Sequence, residues 1–433
     1  MSYKLSLYTS RVVVHSRIYL YNSFTDSLIA LTSNVDELLS KHKGDLGALE
    51  NVHPEFFHTL VQGRFIITES TNDWEEVFSQ WDKEDLTPTK FSMIINPTLD
   101  CNMRCWYCYE QHNSSAYMSA ETIMAIQQLV KKKTSSKELI GLNIDFFGGE
   151  PLLHYHKSVQ PILEYAYSAC EQRQKQLFVS FTTNGYLLSS RILDSLEKYS
   201  RWGKIRMQIT LDGNEELHNR TRTLGGTHPT YKQIATNICR CVQRGIVVLV
   251  RFNYTQENIS SFYDVIDEFL QLTPMEKEFL SFAFHKVWQA SKNEQLEKEV
   301  ELVKSAFKAE GFSVDSSEPF QGGRCYGDRD NHIVINYNGD LHKCTAREFL
   351  PASREGILSA DGELLWNNKY EKRMSLKQCP PICHHCMIFP ICHRGCTQNK
   401  LETSARTDEC LWHFTDAQKR KLLERKIELR ITK

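Results

Sequence analysis

Between about residues 91 and 311, short apolar runs alternate with longer stretches whose apolar positions recur every three to four residues. The runs FSMIINPT, LIGLNIDFF, LFVSFTTN, IRMQITLD, IVVLVRFNYT and FLSFAFHKV are β-rich and read as strands. Each is followed by a helical pattern: SAETIMAIQQLVKKK, HKSVQPILEYAYSACEQ, SRILDSLEKYS, TYKQIATNICRCVQRG, SSFYDVIDEFLQL and NEQLEKEVELVKSAFKAEG. Six such units in series predict parallel strands with right-handed crossovers, too few to close an eight-stranded barrel and suited to an open one. Polar residues gather just after the strands: a cysteine loop after the first, Gly148, Gly149 and Glu150 after the second, Thr183 and Asn184 after the third, Asp212 after the fourth and Asn253 at the fifth. The C-terminal strand edge is where such folds bind ligands, so these groups are expected to share a cleft.

The flanks differ in pattern. VVVHSRIYLYNSFTDSLIALT reads as a hairpin, NVDELLSKHK and HPEFFHTLVQ as short helices and GRFIITES as a returning strand, with NDWEEVFSQWDKED as a polar, acidic connector. The predicted division is a small α+β module over 1–90, the partial barrel over 91–314 and a cysteine-rich region over 315–433. That last region has little apolar periodicity and holds eight of the fourteen cysteines, so its core is expected to depend on metal. Its basic ending, KRKLLERKIELRITK, reads as a helix with a solvated face.

Composition narrows the setting. Basic and acidic residues number 52 and 53, so no global field recruits nucleic acid or a membrane surface. No apolar stretch reaches the roughly 18 residues of a spanning helix, and the N-terminal residues lack a signal-peptide core. A cytoplasmic protein is expected, whose cysteines serve metal or redox chemistry rather than a disulfide framework.

Cys101, Cys105 and Cys108 lie in the stretch CNMRCWYC with no fourth ligand residue at metal spacing. Structural zinc takes four protein ligands, whereas a cluster of four irons and four sulfides held by three thiolates keeps one iron open to a small molecule. Cys170, Cys239 and Cys241 fall within helical patterns and read as core residues.

The CxxxCxxC spacing, the GGEP turn at 148–151 and ITLDGNEELHNRTR at 209–222 together resemble the radical SAM superfamily. That resemblance implies a [4Fe–4S] cluster on the three cysteines, with S-adenosylmethionine bound at its open iron. It places Gly148, Gly149 and Glu150 at the methionine amino group, Thr210 and Arg222 at its carboxylate and Tyr107 beside the adenine, with Thr183, Asn184 and Asp212 completing the cofactor set. Phe147 stands where relatives carry a polar residue.

The remaining cysteines follow C-x13-G-x4-C, then C-x2-C-x5-C-x3-C, then a last Cys. CHHCMIFPICHRGC by itself admits a zinc knuckle, with His384, His385 and His393 interleaved. The spacing resembles the SPASM extension, a C-terminal iron–sulfur domain behind radical SAM barrels. It implies two auxiliary iron–sulfur clusters, an outer one on Cys383, Cys386, Cys392 and Cys410 and an inner one on Cys325, Cys344 and Cys396. The fourth inner ligand is then Cys379, a substrate thiolate or an open position.

The resemblance as a whole is to SPASM-type maturases of ribosomally made peptides. It implies a radical oxidoreductase that forms an intramolecular thioether, or a carbon–carbon or carbon–oxygen crosslink, in a precursor peptide. An external donor such as flavodoxin or ferredoxin would supply electrons, and the N-terminal module would take up a leader segment by strand addition. The alternatives are an anaerobic sulfatase maturase making formylglycine, against which Thr345 stands where those enzymes carry an Asp, and a non-catalytic electron carrier or zinc-stabilised binding module.

Overall fold

The computed structural model describes residues 1–199, 204–290, 293–315, 324–393, 395–403 and 410–431, which form two compact units. One takes in Met1–Leu86 with described residues of Ser317–Asp330 and Glu371–Lys433; the other takes in Thr87–Ser316 with Asn331–Tyr370. No helix among the described residues is long and apolar enough to cross a membrane.

In the first unit β1 (Tyr3–Leu5) pairs antiparallel with β5 (Ile66–Thr68), and β2 (Thr9–Val14), β3 (Arg17–Asn22) and β4 (Ser27–Leu31) make a three-stranded meander. His15 and Ser16 turn the chain between β2 and β3 at φ 48° and 62°, the left-handed pair that a two-residue hairpin loop requires. The stretch read as a polar connector is instead a helix, Asp73–Asp85, capped by Asn72, whose side chain accepts from the backbone N–H groups of Trp74 and Glu75. Glu75, Asp82 and Glu84 face water and Asp73 and Asp85 are buried, while Trp74, Val77, Phe78 and Trp81 fall three and four apart and form one apolar stripe. Trp74 and Trp81 pack on Phe389 with ring centroids 4.2 and 4.8 Å away. The helix Asp416–Ile431 buries Leu423 and Ile427 against Val12, Val14 and Ile388, so the basic C-terminal helix is half core and half solvated.

The second unit is an α/β partial barrel. β6 (Lys90–Ile95), β7 (Gly141–Phe146), β8 (Gln176–Thr183), β9 (Ile205–Leu211), β10 (Val247–Tyr254) and β11 (Leu280–Lys286) are the six expected strands, each parallel to the next. β12 (Ser313–Val314) extends this sheet beyond β11. At the opposite edge β13 (His332–Ile335) runs parallel to β6, and β14 (Asp340–His342), β15 (Gly356–Leu358) and β16 (Leu364–Trp366) follow antiparallel, giving eleven strands in one sheet. β12 to β16 run only two to four residues each, too short for a hydrophobic period to mark them.

The barrel strands alternate. Leu142, Ile144 and Phe146 of β7, and Leu177, Val179 and Phe181 of β8, are buried in the main core. The opposite face carries Ser92, Asn143, Asp145, Ser180 and Gln208; Asn143 donates to Ser92 Oγ at 3.0 Å. Burial pushes the Asp145 carboxyl up to about 6, opposed by Arg206. A raised carboxylate pKa favours the fold below the unfolded value near 4, and that contribution is lost as pH rises through 6. Asp145→Asn should therefore gain stability over wild type above pH 6 and lose the advantage near pH 4, checked by urea unfolding across pH.

Candidate functional site

The cysteine loop after β6 is held by backbone and hydroxyl bonds. Thr98 Oγ1 donates to Ala116 O at 2.6 Å and accepts from Asp100 N at 3.0 Å, and Cys108 N reaches Cys105 O at 3.0 Å. The glycine turn after β7 docks on this loop through Gly149 N to Thr98 O, 3.1 Å, and Glu150 N to Asp100 O, 2.8 Å. The approach leaves no room for a side chain: a Cβ at position 149 would lie 2.1 Å from Asp100 O, and Gly148 adopts φ +98° with Thr98 O 2.4 Å from where its Cβ would be.

Glu150 lies fully buried behind this turn. Its carboxylate accepts from Thr183 Oγ1 at 2.7 Å, Asn184 N at 2.7 Å and Leu152 N at 3.0 Å, so it ties the turn to the end of β8. Burial raises its pKa, and those donors together with Arg222 oppose the shift. Asn184 in turn donates to Asn102 Oδ1 at 2.7 Å and approaches Cys101 Sγ at 3.8 Å.

A second buried network stands on the ends of β9 and β10. Tyr107 OH donates to Asp212 Oδ2 at 2.5 Å and accepts from Arg222 Nη1 at 2.8 Å and Asn253 Nδ2 at 3.1 Å. Arg222 and Asp212 are 3.6 Å apart with side chains 8% and 3% exposed, a desolvated pair in which each charge depends on the other. Burial pushes Asp212 and Tyr107 toward their protonated forms, and the Arg222 charge opposes both shifts. His218 accepts from Asp212 N at 3.3 Å and meets Thr230 Oγ1 at 3.1 Å, fixing the turn from which Arg222 extends.

Both networks border one cavity of about 200 Å³ at the C-terminal strand edge. Of the residues expected there, Cys101, Cys105, Cys108, Tyr107, Gly148, Gly149, Thr183, Asn184, Thr210 and Arg222 line it. Glu150 and Asp212 do not; each stands behind the wall and holds a residue that does. Sequence reasoning missed Glu110, Gln208 and Arg251, all in the wall. Gln208 and Arg251 had a readable signal, since each lies two residues before a strand-end polar residue, Thr210 or Asn253, on the same face. Lys286 also lines the cavity, whereas His285 does not.

Two polar groups in this wall lack partners. Arg222 Nε has no acceptor, and both oxygens of Glu110 have no donor. Burial raises the Glu110 carboxyl to about 7. An unmatched donor and an unmatched acceptor beside three thiols fit a ligand carrying both an anionic and a hydrogen-bond-donating group. Burial raises the Cys101 thiol to about 12, with Glu150 adding to it, so a metal that takes up Cys101 must displace its proton. Among the described residues no three His, Cys, Asp or Glu side chains converge as a single metal ion requires.

The other cysteines fall in both units. Cys344 belongs to the unit containing the barrel; its Sγ accepts from Ala346 N at 3.3 Å. Cys325 is exposed, and Cys396 precedes the helix Thr397–Glu402. Burial raises the Cys383 thiol to about 12, and Cys379, Cys386, Cys392 and Cys410 all add to the shift. His384 and His393, weighed above as zinc ligands, lie against tryptophan rings, His384 on Trp74 at 4.2 Å and His393 on Trp81 at 5.8 Å.

Residues 95–269 match the family model of the radical SAM superfamily. The match lies within the barrel. Among curated relatives, the probable GTP 3′,8-cyclase of Methanocaldococcus jannaschii is 25% identical over 279 residues, covering 59% of this chain and 85% of that one. The cysteine-type anaerobic sulfatase-maturating enzyme of Clostridium novyi is 27% identical over 200 residues, 42% of this chain and half of that protein's length. Streptococcus suis SuiB bound to precursor peptide SuiA superposes with a TM-score of 0.53 at 15% identity, covering 95% of this chain and all of that one, which establishes likeness of fold. The barrel places its three cysteines, its glycine turn and Arg222 on one cavity. A match to that superfamily implies a [4Fe–4S] cluster and S-adenosylmethionine.

Proposed function

We propose that the chain is a radical SAM peptide maturase that crosslinks a ribosomally made precursor peptide within itself, by a thioether or a carbon–carbon or carbon–oxygen bond. One observation carries the cofactor half of this reading: three thiols, the unpartnered Arg222 Nε and the unpartnered Glu110 carboxylate share a single cavity. When bound there, the cluster and S-adenosylmethionine supply a 5′-deoxyadenosyl radical able to take hydrogen from an unactivated C–H bond. The chain's own groups do the rest. Cys101, Cys105 and Cys108 hold the cluster. Arg222 and Thr210 face the methionine carboxylate, Tyr107 borders the adenine, and the backbone of Gly148 and Gly149 lets the ligand approach closely. Glu150 and Asp212 fix these groups without touching the ligand.

The substrate half is supported by the fold likeness to SuiB, whose structure holds a precursor peptide, and by the short antiparallel strands of the N-terminal unit, which suit strand addition by an extended segment. The C-terminal cysteines would hold auxiliary clusters, the outer one on Cys383, Cys386, Cys392 and Cys410. The relatives include both a nucleotide cyclase and a sulfatase maturase, so the barrel alone does not choose a substrate. Incubating the reduced enzyme with S-adenosylmethionine and the precursor peptide encoded beside its gene should lower the peptide mass by two hydrogens. Exchange of a Cys sulfur for oxygen together with loss of two hydrogens would assign sulfatase-type maturation instead. An unchanged peptide beside consumed S-adenosylmethionine would refute the crosslinking assignment.

A further inference from the structure

Among the residues lining the barrel cavity, Arg222, Arg251 and Lys286 are the cations and Glu110 is the carboxylate. Arg222 is matched from behind the wall by Asp212. The other two cations have no counter-charge. Arg251 Nε donates to the neutral Asn253 Oδ1 at 3.0 Å, Lys286 Nζ donates to the carbonyl oxygen of Ala290 at 2.6 Å, and among the described residues neither forms an ion pair. Glu110 does not serve them, since both of its oxygens are without a partner. Burial pulls the Arg251 pKa down, against Tyr107, Tyr109 and Asp212, the direction expected of a guanidinium that has lost water and gained no ion pair. Strand pairing sets Arg251 level with Thr210 on β9 and Ala283 on β11, so one neighbour is a wall residue and the other carries only a methyl group. Two aromatic residues of the same wall, Trp288 and Tyr109, are 79% and 42% exposed.

We propose that Arg251 and Lys286 bind the carboxylate of an Asp or Glu side chain in the precursor peptide, so that the crosslinked residues lie beside an acidic one. The inference rests on the peptide-maturase proposal above and deepens it by naming a charge the substrate must carry. S-adenosylmethionine does not supply the missing anion, because it has a single carboxylate, assigned to Arg222 and Thr210, against an ammonium and a sulfonium. The thiols of the loop have a cation of their own, since Arg222 acts on Cys101 and Cys108. A guanidinium committed only through Nε leaves its Nη groups as the planar fork that takes a carboxylate on two parallel bonds, and Lys286 adds a second charge. Trp288 and Tyr109 offer flanking residues of an extended peptide a carbon surface to pack on, which a free inorganic anion would not use.

The test uses the reconstituted enzyme and the precursor peptide encoded beside its gene, made as a series in which each Asp is changed to Asn and each Glu to Gln, one at a time. One of these changes should raise the peptide KM roughly tenfold, as Arg251→Gln should with the natural peptide. The two together should cost no more than either alone, because the pair is already broken. Costs that multiply for every peptide would show that the groups do not meet and would overturn the proposal. So would an Arg251→Gln enzyme whose affinity for S-adenosylmethionine, measured by calorimetry, falls as far as its affinity for peptide, since the guanidinium then serves the cofactor. Lys286→Gln carries the same cycle should Arg251→Gln fail to fold. GTP is the second probe, because a triphosphate is the other anion that two cations and exposed rings could hold. Conversion of GTP with the peptide left intact assigns the cations to phosphates. That outcome, like an unchanged peptide beside consumed S-adenosylmethionine, refutes the maturase assignment itself, whereas a crosslinked peptide indifferent to its acidic residues refutes only the carboxylate site.

Discussion

Replacing Cys101, Cys105 and Cys108 together by alanine is expected to abolish reductive cleavage of S-adenosylmethionine and to lower the iron content by about four per chain. The fold should survive. The loop is pinned by Thr98 to Ala116, by Gly149 N to Thr98 O and by Glu150 N to Asp100 O, none of which involves a thiol. Cys101 and Cys105 only border the main core, and Cys108 is exposed. Activity should thus fall to background while circular dichroism and the thermal midpoint change little. Deoxyadenosine measured by chromatography, with iron and sulfide assays on the same samples, checks both halves. Deoxyadenosine formed at the wild-type rate by the triple variant would remove the radical assignment from this cavity.

Arg222→Ala is expected to be the most damaging single change, because it acts on stability and ligand binding together. The guanidinium is the cation beside buried Asp212 and the donor to Tyr107. Removing it leaves Asp212 charged and desolvated with only the neutral donors Tyr107 and Asn253, and breaking a buried pair in this way costs about 3 to 5 kcal/mol. The double variant Asp212→Asn, Arg222→Met should recover much of that stability, since both charges go at once. It should not recover binding of S-adenosylmethionine, because the Arg222 guanidinium, a lining group whose Nε is unpartnered, is gone in both variants. Denaturant unfolding together with calorimetric titration of the ligand separates the two effects. A double variant that binds as wild type does would show that Arg222 serves only the fold.

The six barrel strands were readable because each is a run of four or more alternating or apolar residues followed by a stretch of helical period, and both periods survive in a single sequence. The five further strands were not. β12 to β16 are too short to carry a period, and β13 is held in place by pairing with β6, more than two hundred residues away in sequence. The helix Asp73–Asp85 was misread for a different reason: six acidic residues in fourteen positions of its stretch hid a stripe of Trp74, Val77, Phe78 and Trp81 that makes sense only once Phe389 is there to receive it.

The cavity divides in the same way. Its metal-binding spacing, its glycine turn and its buried basic residue were local patterns, because three thiols in one loop and two glycines at one close approach are demands made on neighbouring residues. The roles of Glu150 and Asp212 were not local. Both carboxylates were expected beside the ligand, and both lie behind the wall, since a fully buried carboxylate must be met by several donors and those donors come from other strands. Glu110 entered the wall only through the loop's path. Sequence by itself determined the order of strands, the chemistry of the cysteine loop and the face of each strand that turns inward, because these follow from spacing along one chain. Tertiary structure alone decided which polar groups touch the cavity and which support those that do, because such facts depend on distances between residues that the chain's order leaves free.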